Sequence, residues 1–468
     1  MKKCLVAAAF SIFFTCFAKA DLAKRIRPII NQASQKDVQF SVHIVKAESG
    51  KTVYEHNHHR TLIPASNMKL IVAAAALKYL GPDYEYKTRV GTDGNSLLII
   101  GSGDPLLADK ATDDKYERQT GWIFKDIIAQ LKADKLTAIK DIVVDSSIFD
   151  DERVHPNWAK DELNRWYACE VGGLNYNGNC IEIKAEISGG QVIIITEPKT
   201  SYVQITNNVT PISKGKSVIG SYRQGEQNKI IVHGKCKKQA GPFDVAIERP
   251  AAFFGYLLAE HLNEAGIKTK GQLVERAIGQ VDKLNIIAEY NTSIKDCLAR
   301  CNKNSFGLAA EALLKTIDAE NKPGDKNGTW AGGCKLISEY LLQLGIDKTE
   351  FNIDDGSGLS RKNKLSANAI TKVLLDAYRS RNWNFYKDSL SAGGIDGTIA
   401  KYFKEEKYKG KVLGKTGYID AVKSFSGLCT TEAGDYIFSI LANNANGQTR
   451  KALNNIAKAV IDEFRSDS

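Results

Sequence analysis

Strand-like runs stand at both ends of this chain, and a different texture fills the distance between them. From Gln39 to Tyr54 apolar and polar residues alternate around Glu48-Ser49-Gly50-Lys51, the pattern of two antiparallel strands joined by a tight turn. Far downstream "GKVLGKTGYI", "VKSFSGLCTT" and "YIFSILANN" read as three more strands, followed by an amphipathic helix over Thr449–Phe464. Between about Tyr84 and Leu284 the chain turns to short strands, glycine turns and polar loops, such as "SLLIIGSGDP" and "QVIIIT". Strands from the two ends gain a hydrophobic partner only by pairing with each other. The pattern therefore predicts one α+β domain built from residues 21–83 and 285–468. A mainly β region at 84–284, forming two small domains, is expected to interrupt it. At 468 residues the chain is also too long for a single compact core.

Helices are expected from Ser66 through Ala73–Ala76 to Leu80, stopping at Gly81-Pro82, and over Gly121–Leu131 and Ala251–Ala265. Two more are expected, over Thr292–Asp318 with Ser305 inside and over Gly332–Leu344. The first residues read as an export leader. Lys2 and Lys3 precede an apolar run from Leu5 to Phe17, and Ala18-Lys19-Ala20 is a small-x-small cleavage site, so the mature chain is expected to begin near Asp21 in an exported, periplasmic protein.

Without residues 1–20 the chain keeps 61 basic residues against 54 acidic ones. Those charges are interspersed, so no nucleic-acid stripe is present; the mild positive field suits an anionic wall polymer or membrane surface but reads first as a charge that keeps the protein in solution. Seven cysteines follow the leader, an odd number, so at least one thiol is either free or paired with another molecule. His56, His58 and His59 resemble a metal tract but fall in a polar loop and read as solvated surface, so no metal is expected. Nothing in the pattern assigns an oligomeric state.

"PASNMKL", Pro64–Leu70, opens the alanine-rich helix. Residues three apart share a helical face, so Ser66 Oγ and Lys69 Nζ lie within reach of each other. A serine hydroxyl needs a neighbour to take its proton, and a lysine does so when burial or positive charge lowers its pKa. The flank Leu70-Ile71-Val72 supplies the burial. At a helix start the Ser66 N–H also joins the unpaired donors that can hold an oxyanion. By itself the spacing is weak, since Ser213 and Lys216 share it in a Gly/Lys loop. "GKTG", Gly414–Gly417, lies in a strand-like run. On an edge strand Lys415 and Thr416 present an ammonium and a hydroxyl to a carboxylate, while Gly417 lets a ligand approach the backbone.

Together these stretches resemble the serine penicillin-recognising enzymes. Gly101-Ser102-Gly103-Asp104-Pro105, Asp355-Gly356-Ser357-Gly358-Leu359-Ser360-Arg361 and Gly394-Ile395-Asp396-Gly397-Thr398 narrow the resemblance to the class C penicillin-binding proteins, the D-alanyl-D-alanine carboxypeptidase/endopeptidase family. The resemblance implies a transpeptidase/β-lactamase-like antiparallel sheet with flanking helices, interrupted by inserted domains. It implies that Ser66 is acylated, that Lys69 is its base and that Ser305 relays a proton. Lys415 and Thr416 would clamp the substrate carboxylate beside Gly417, and the Ser66 and Tyr418 amides would form the oxyanion hole. Peptidoglycan peptides are the implied substrates, β-lactams the implied covalent inhibitors, and no cofactor is implied.

One position departs from the family. Its Ser-x-Asn motif appears as Ser305-Phe306-Gly307, and glycine offers no amide to the substrate. An unmade bond of that kind costs about 1–3 kcal/mol. Turnover about ten- to a hundredfold weaker is therefore expected, unless Asn304, Asn302 or water substitutes. Gly307 also motivates a non-catalytic, peptidoglycan-binding reading. A serine β-lactamase is disfavoured, because no tyrosine has asparagine two positions on.

Overall fold

The computed structural model describes residues 21–465 apart from 224–227, 280, 282–283 and 324–326, so the expected leader at residues 1–20 lies outside the described residues. The chain forms two compact units. One comprises the residues up to Pro82, Leu298–Phe306 and Trp330 onward; the other comprises Asp83–Cys297 and Gly307–Thr329. Against an expected division at 84 and 284, the second unit reaches Cys297 and also takes up the helix Gly307–Asn321. That helix is bound there by polar contacts. Lys315 Nζ donates to Asp150 Oδ1 at 2.5 Å, and the Tyr86 hydroxyl donates to Thr316 Oγ1 at 3.2 Å.

The first unit is built on a six-stranded antiparallel sheet. Its order is Ser391–Ala392, Val412–Ile419, Val422–Thr431, Gly434–Asn443, Gln39–Lys46 and Thr52–His56. The strands from the two chain ends meet where Gln39 faces Asn443 and Lys46 faces Tyr436. Val422–Thr431 is buried at six consecutive positions, Ser424 through Cys429, rather than at alternate ones, so both faces of the sheet are covered. Thr449–Glu463 packs on Val422–Thr431, while Ala367–Arg379 packs on Gly434–Asn443 and Gln39–Lys46. Phe40, Val42, Phe425, Phe438, Ile440 and Leu453 lie in the core of this unit.

In the second unit a five-stranded mixed sheet runs Leu273–Glu275, Ile142–Asp145, Ser96–Ile100, Glu85–Asp93 and Asn285–Ser293. Two three-stranded sheets between Cys180 and Ala246 and a two-stranded pair, Ala138–Ile139 with Lys268–Thr269, accompany it. One apolar cluster runs through all of them, from Val90 and Ile99 to Ile183, Val209 and Val232, and takes in Phe253 and Phe254 of the helix Pro250–Glu264.

Asp104, 1 % exposed, braces a loop of this unit by accepting from Leu106 N at 2.8 Å and Thr292 Oγ1 at 2.6 Å. Burial pushes its pKa up to about 6. A folded-state pKa above the unfolded value of about 3.9 means stability that is full below that value and lost as pH rises through about 6, a change of about 3 kcal/mol. Asp104→Asn keeps one acceptor and one donor without the charge. Urea denaturation is expected to show the variant gaining on the wild type between about pH 4 and pH 8, and an unchanged gap would refute the assignment.

Two local expectations are corrected. The helix expected over Thr292–Asp318 is two helices, Ile294–Lys303 and Gly307–Asn321, because Ser305 adopts a left-handed backbone with φ 60° that no α-helix accommodates. The histidine loop is only partly solvated: His59 is exposed as expected, whereas His56 and His58 are half-buried. The rings of His43 and His58 stack at 4.8 Å, and His59 Nδ1 lies 3.1 Å from Glu350 Oε1. Among the described residues no group of three or more His, Cys, Asp or Glu could hold a metal ion, none of the seven cysteines is in a disulfide, and no helix is long and apolar enough to cross a membrane.

Candidate active site

Pro64 leads into a short 3-10 turn, Ala65–Asn67, which continues as the helix Met68–Tyr79. Ten consecutive residues of that helix, Met68–Leu77, are buried, so it is sunk in the core on every side and carries Lys69 in with it. Lys69 is 2 % exposed, and its Nζ donates to Ser66 Oγ at 3.3 Å and to the Ser357 carbonyl at 2.6 Å. The expected helical start at Ser66 is thus a tighter turn, preceded by Ala65 at φ 46°. The hydroxyl and amine still meet.

Lys415 lies on the strand Val412–Ile419, fully buried. Its Nζ donates to Ser305 Oγ and to the Thr416 carbonyl, both at 2.8 Å. Burial drives its pKa well below that of an ordinary lysine, and the charges of Lys69 and Arg450 push the same way. The left-handed residue at 305 turns its hydroxyl onto this amine, a strained backbone position of the kind that gathers at functional sites.

Two contacts lock the serine turn against this strand and its neighbour Val422–Thr431. Asn67 Nδ2 donates to the Lys415 carbonyl at 2.6 Å, while Asn67 Oδ1 accepts from Ser426 Oγ at 2.8 Å. Gly417 is required by the closeness that results, since a methyl there would lie 2.1 Å from Ser424 Oγ and 3.0 Å from Ser66 N. Arg450 supports the strand from the helix Thr449–Glu463, donating to the carbonyls of Gly417 at 2.8 Å and Ser424 at 3.0 Å. Thr416 Oγ1 donates to Thr398 Oγ1 at 2.9 Å. The Tyr418 side chain points away from all this and is 68 % exposed.

Asp355 braces the neighbouring glycine loop. It accepts from Gly358 N at 2.8 Å, Ser360 N at 2.6 Å and Asn363 Nδ2 at 2.6 Å, which uses its oxygens within the loop. Asn302, one candidate to replace the missing amide at 307, faces the core and donates to Ser389 Oγ at 2.9 Å. Asn304 is exposed.

This arrangement provides two amine–hydroxyl pairs on one framework. The D-Ala-D-Ala carboxypeptidase 3 (S13) family model matches residues 22–465. The chain belongs to that family. This serine carboxypeptidase is 25 % identical over 474 aligned residues to a D-alanyl-D-alanine carboxypeptidase of Actinomadura sp. (strain R39), covering 95 % of this chain and 85 % of that one. It is 21 % identical to one from Haemophilus influenzae, covering 82 % and 81 %. The crystal structure of penicillin binding protein 4 from Haemophilus influenzae has the same fold, with a TM-score of 0.78 at 20 % identity over 96 % of this chain and 99 % of the other. A second structure of that protein holds a novel β-lactam. Membership of an enzyme family does not favour the non-catalytic reading that Gly307 raised.

Among the site's residues, sequence reasoning gave no role to Asn67, Thr398, Ser357 or Arg450. The first three lie inside stretches singled out for their pattern, so proximity to a motif was a usable signal. Arg450 had none: its helix is legible, but which strand the helix covers is a tertiary fact.

Proposed function

We propose that the carboxypeptidase removes the terminal D-alanine from peptidoglycan stem peptides by way of an acyl-enzyme on Ser66. Lys69 takes the Ser66 Oγ proton, and the freed oxygen attacks the carbonyl between the two D-alanines. The C–N bond breaks as the leaving amine gains a proton through Ser305, which Lys415 holds at 2.8 Å. Water then cleaves the ester, returning the proton to Ser66 and releasing the shortened peptide. Two lysines close enough to feel each other's charge do not readily carry protons together, so burial and repulsion favour a neutral amine in the pair. The backbone amides of Ser66 and Tyr418 hold the oxyanion.

The observation that carries this reading is the joint presence of Lys69–Ser66 at 3.3 Å and Lys415–Ser305 at 2.8 Å, on segments joined by Asn67 and the Lys415 carbonyl. A further feature supports a peptide substrate. Ser391–Ala392 pairs only with Leu413 and Gly414, which leaves the edge at Lys415–Tyr418 without a partner strand among the described residues. An extended peptide can add there, with its carboxylate at Thr416. β-Lactams would acylate Ser66 as substrate mimics. The reading includes export to the periplasm after removal of residues 1–20.

The test is mass spectrometry of defined muropeptides after incubation with enzyme. A pentapeptide stem is expected to lose one alanine, and Ser66→Ala is expected to leave it intact and to abolish labelling by a fluorescent penicillin. Cleavage of a cross-linked dimer in the same assay would add endopeptidase action. Rapid hydrolysis of the penicillin with no change to the peptides would point to a β-lactamase instead. No labelling and no cleavage by folded wild type would reject the proposal.

The carboxylate clamp can be tested alone. A hydrogen bond to a charged group contributes about 1.5–3 kcal/mol. Thr416→Val is therefore expected to lower kcat/KM on the pentapeptide about ten- to a hundredfold, mostly through KM. A variant within twofold of wild type would remove Thr416 from the clamp.

A further inference from the structure

The basic excess of this chain is local. Between Pro198 and Phe243 stand eight lysines and arginines and one acid, Glu226, so this stretch carries most of the net charge of +10. The fold gathers five of those lysines at one end of the strands of the second unit. Gln204–Pro211 ends, Val218–Arg223 begins and Lys229–Cys236 ends at the same level, because Val218 pairs with Lys235 and Cys236 with Pro211. Lys214 and Lys216 occupy the loop between the first two strands, and Lys237 and Lys238 the turn that follows the third. Lys237 N donates to Ser217 Oγ at 3.0 Å, which ties loop and turn together. All five lysines are exposed. The nearby carboxylate Glu186, on the adjoining strand Cys180–Ser188, is already paired with Lys184. Beside Lys235, Val218 is 69 % exposed, the most exposed large apolar side chain among the described residues.

We propose that this lysine-rich end of the second unit docks on an anionic phospholipid bilayer. The chemistry favours lipid over other polyanions for two reasons. The charges are lysine ammoniums on loops, suited to a diffuse negative surface rather than to the two-pronged recognition of individual carboxylates or phosphates that arginine provides. The exposed valine in their midst gains only where an apolar layer lies just beneath the charges. Each lysine near such a surface strengthens partitioning about fivefold, so five of them suffice for salt-sensitive, reversible binding. The proposal concerns the second unit and is independent of the chemistry assigned to Ser66.

The experiment is co-sedimentation of the full chain, beginning at Asp21, with vesicles of phosphatidylglycerol and phosphatidylcholine and with vesicles of phosphatidylcholine alone. Binding to the anionic vesicles only is expected, and it should be lost in about 1 M salt, where charges are screened within about 3 Å. The triple variant Lys214→Gln, Lys216→Gln, Lys235→Gln is expected to bind about a hundredfold more weakly. Val218→Ser, which leaves every charge in place, should weaken binding without changing its salt dependence. Penicillin labelling of Ser66 and far-UV circular dichroism check that the variants are folded. Wild-type protein left in the supernatant, equal binding to neutral vesicles, or a triple variant that binds like wild type would each overturn the proposal. Lysine-dependent binding to lipid-free sacculi with none to vesicles would overturn it in favour of the wall polymer.

Discussion

Lys69→Ala is expected to slow acylation of Ser66 by a penicillin about a thousandfold while the fold survives. A positioned general base contributes about 10²–10⁴ in rate, and among the described residues only the Lys69 amine is seen bonded to Ser66 Oγ, at 3.3 Å. The amine is held in place by the Ser357 carbonyl at 2.6 Å, so its aim is set by the loop that Asp355 braces and not by its own flexible chain. Stopped-flow labelling with a fluorescent penicillin measures the rate, and circular dichroism checks the fold. The same reasoning sets the pH dependence. Lys415 is driven well below the usual lysine range by burial and then by the Lys69 charge, and that repulsion acts equally in the other direction. Acylation by the wild type should therefore rise with pH as the amine pair sheds a proton. With Lys415→Met the amine whose pKa is depressed is gone, so the part of the rise that it contributes should be lost. The depressed Lys415 pKa has a stability consequence of the same sign. The unfolded chain binds the extra proton at all pH values between the folded pKa and about 10.4, so stability rises with pH across that window. A Lys69→Ala variant that acylates like wild type would rule out this base.

Much of the first unit is legible in the sequence because its strands and helices are written in local periodicity. Three adjacent runs after Gly410 become three adjacent strands, and glycines close the helix that ends before Gly345. The site is legible to the extent that its chemistry is short-range: Ser66 and Lys69 are three residues apart, and Lys415, Thr416 and Gly417 are consecutive. What was hidden depends on long-range closure. Ser305 carries no local sign that its φ is positive, and a continuous helical pattern runs straight through it. Its conformation is imposed by the demand that its hydroxyl reach Lys415, 110 positions away. Likewise nothing near Gly307–Asn321 shows that its polar groups pair with Tyr86 and Asp150, which is why the helix belongs to the second unit. Gly307 itself shows the limit of motif reading. The absent amide is plain in the sequence, but that Asn302 is fully buried, its amide nitrogen donating to Ser389, and so does not replace it is visible only in three dimensions.

Gly358→Ala should damage both stability and acylation, although residue 358 makes no bond to substrate in the proposed mechanism. A methyl there would lie 1.9 Å from the Ala65 carbonyl oxygen and 3.1 Å from Ser66 N, and the residue adopts φ +80°. Neither side can give way cheaply. The loop is fastened by Asp355, fully buried, whose Oδ1 accepts from Gly358 N itself, and Ala65 is buried and already left-handed at φ 46°. The left-handed backbone costs an alanine about 1–2 kcal/mol and the overlap adds about 1–3 kcal/mol. Relief must come from moving the Ala65–Asn67 turn, which carries Ser66 away from Lys69. Gly345→Ala separates the two causes. It has φ +68° with nothing within 4 Å of the added methyl, so it should show the backbone cost alone and label with penicillin at the wild-type rate. Urea midpoints of the two variants, read beside their labelling rates, decide the matter: if Gly345→Ala and Gly358→Ala behave alike, close packing of the glycine loop on the serine turn is not what places the nucleophile.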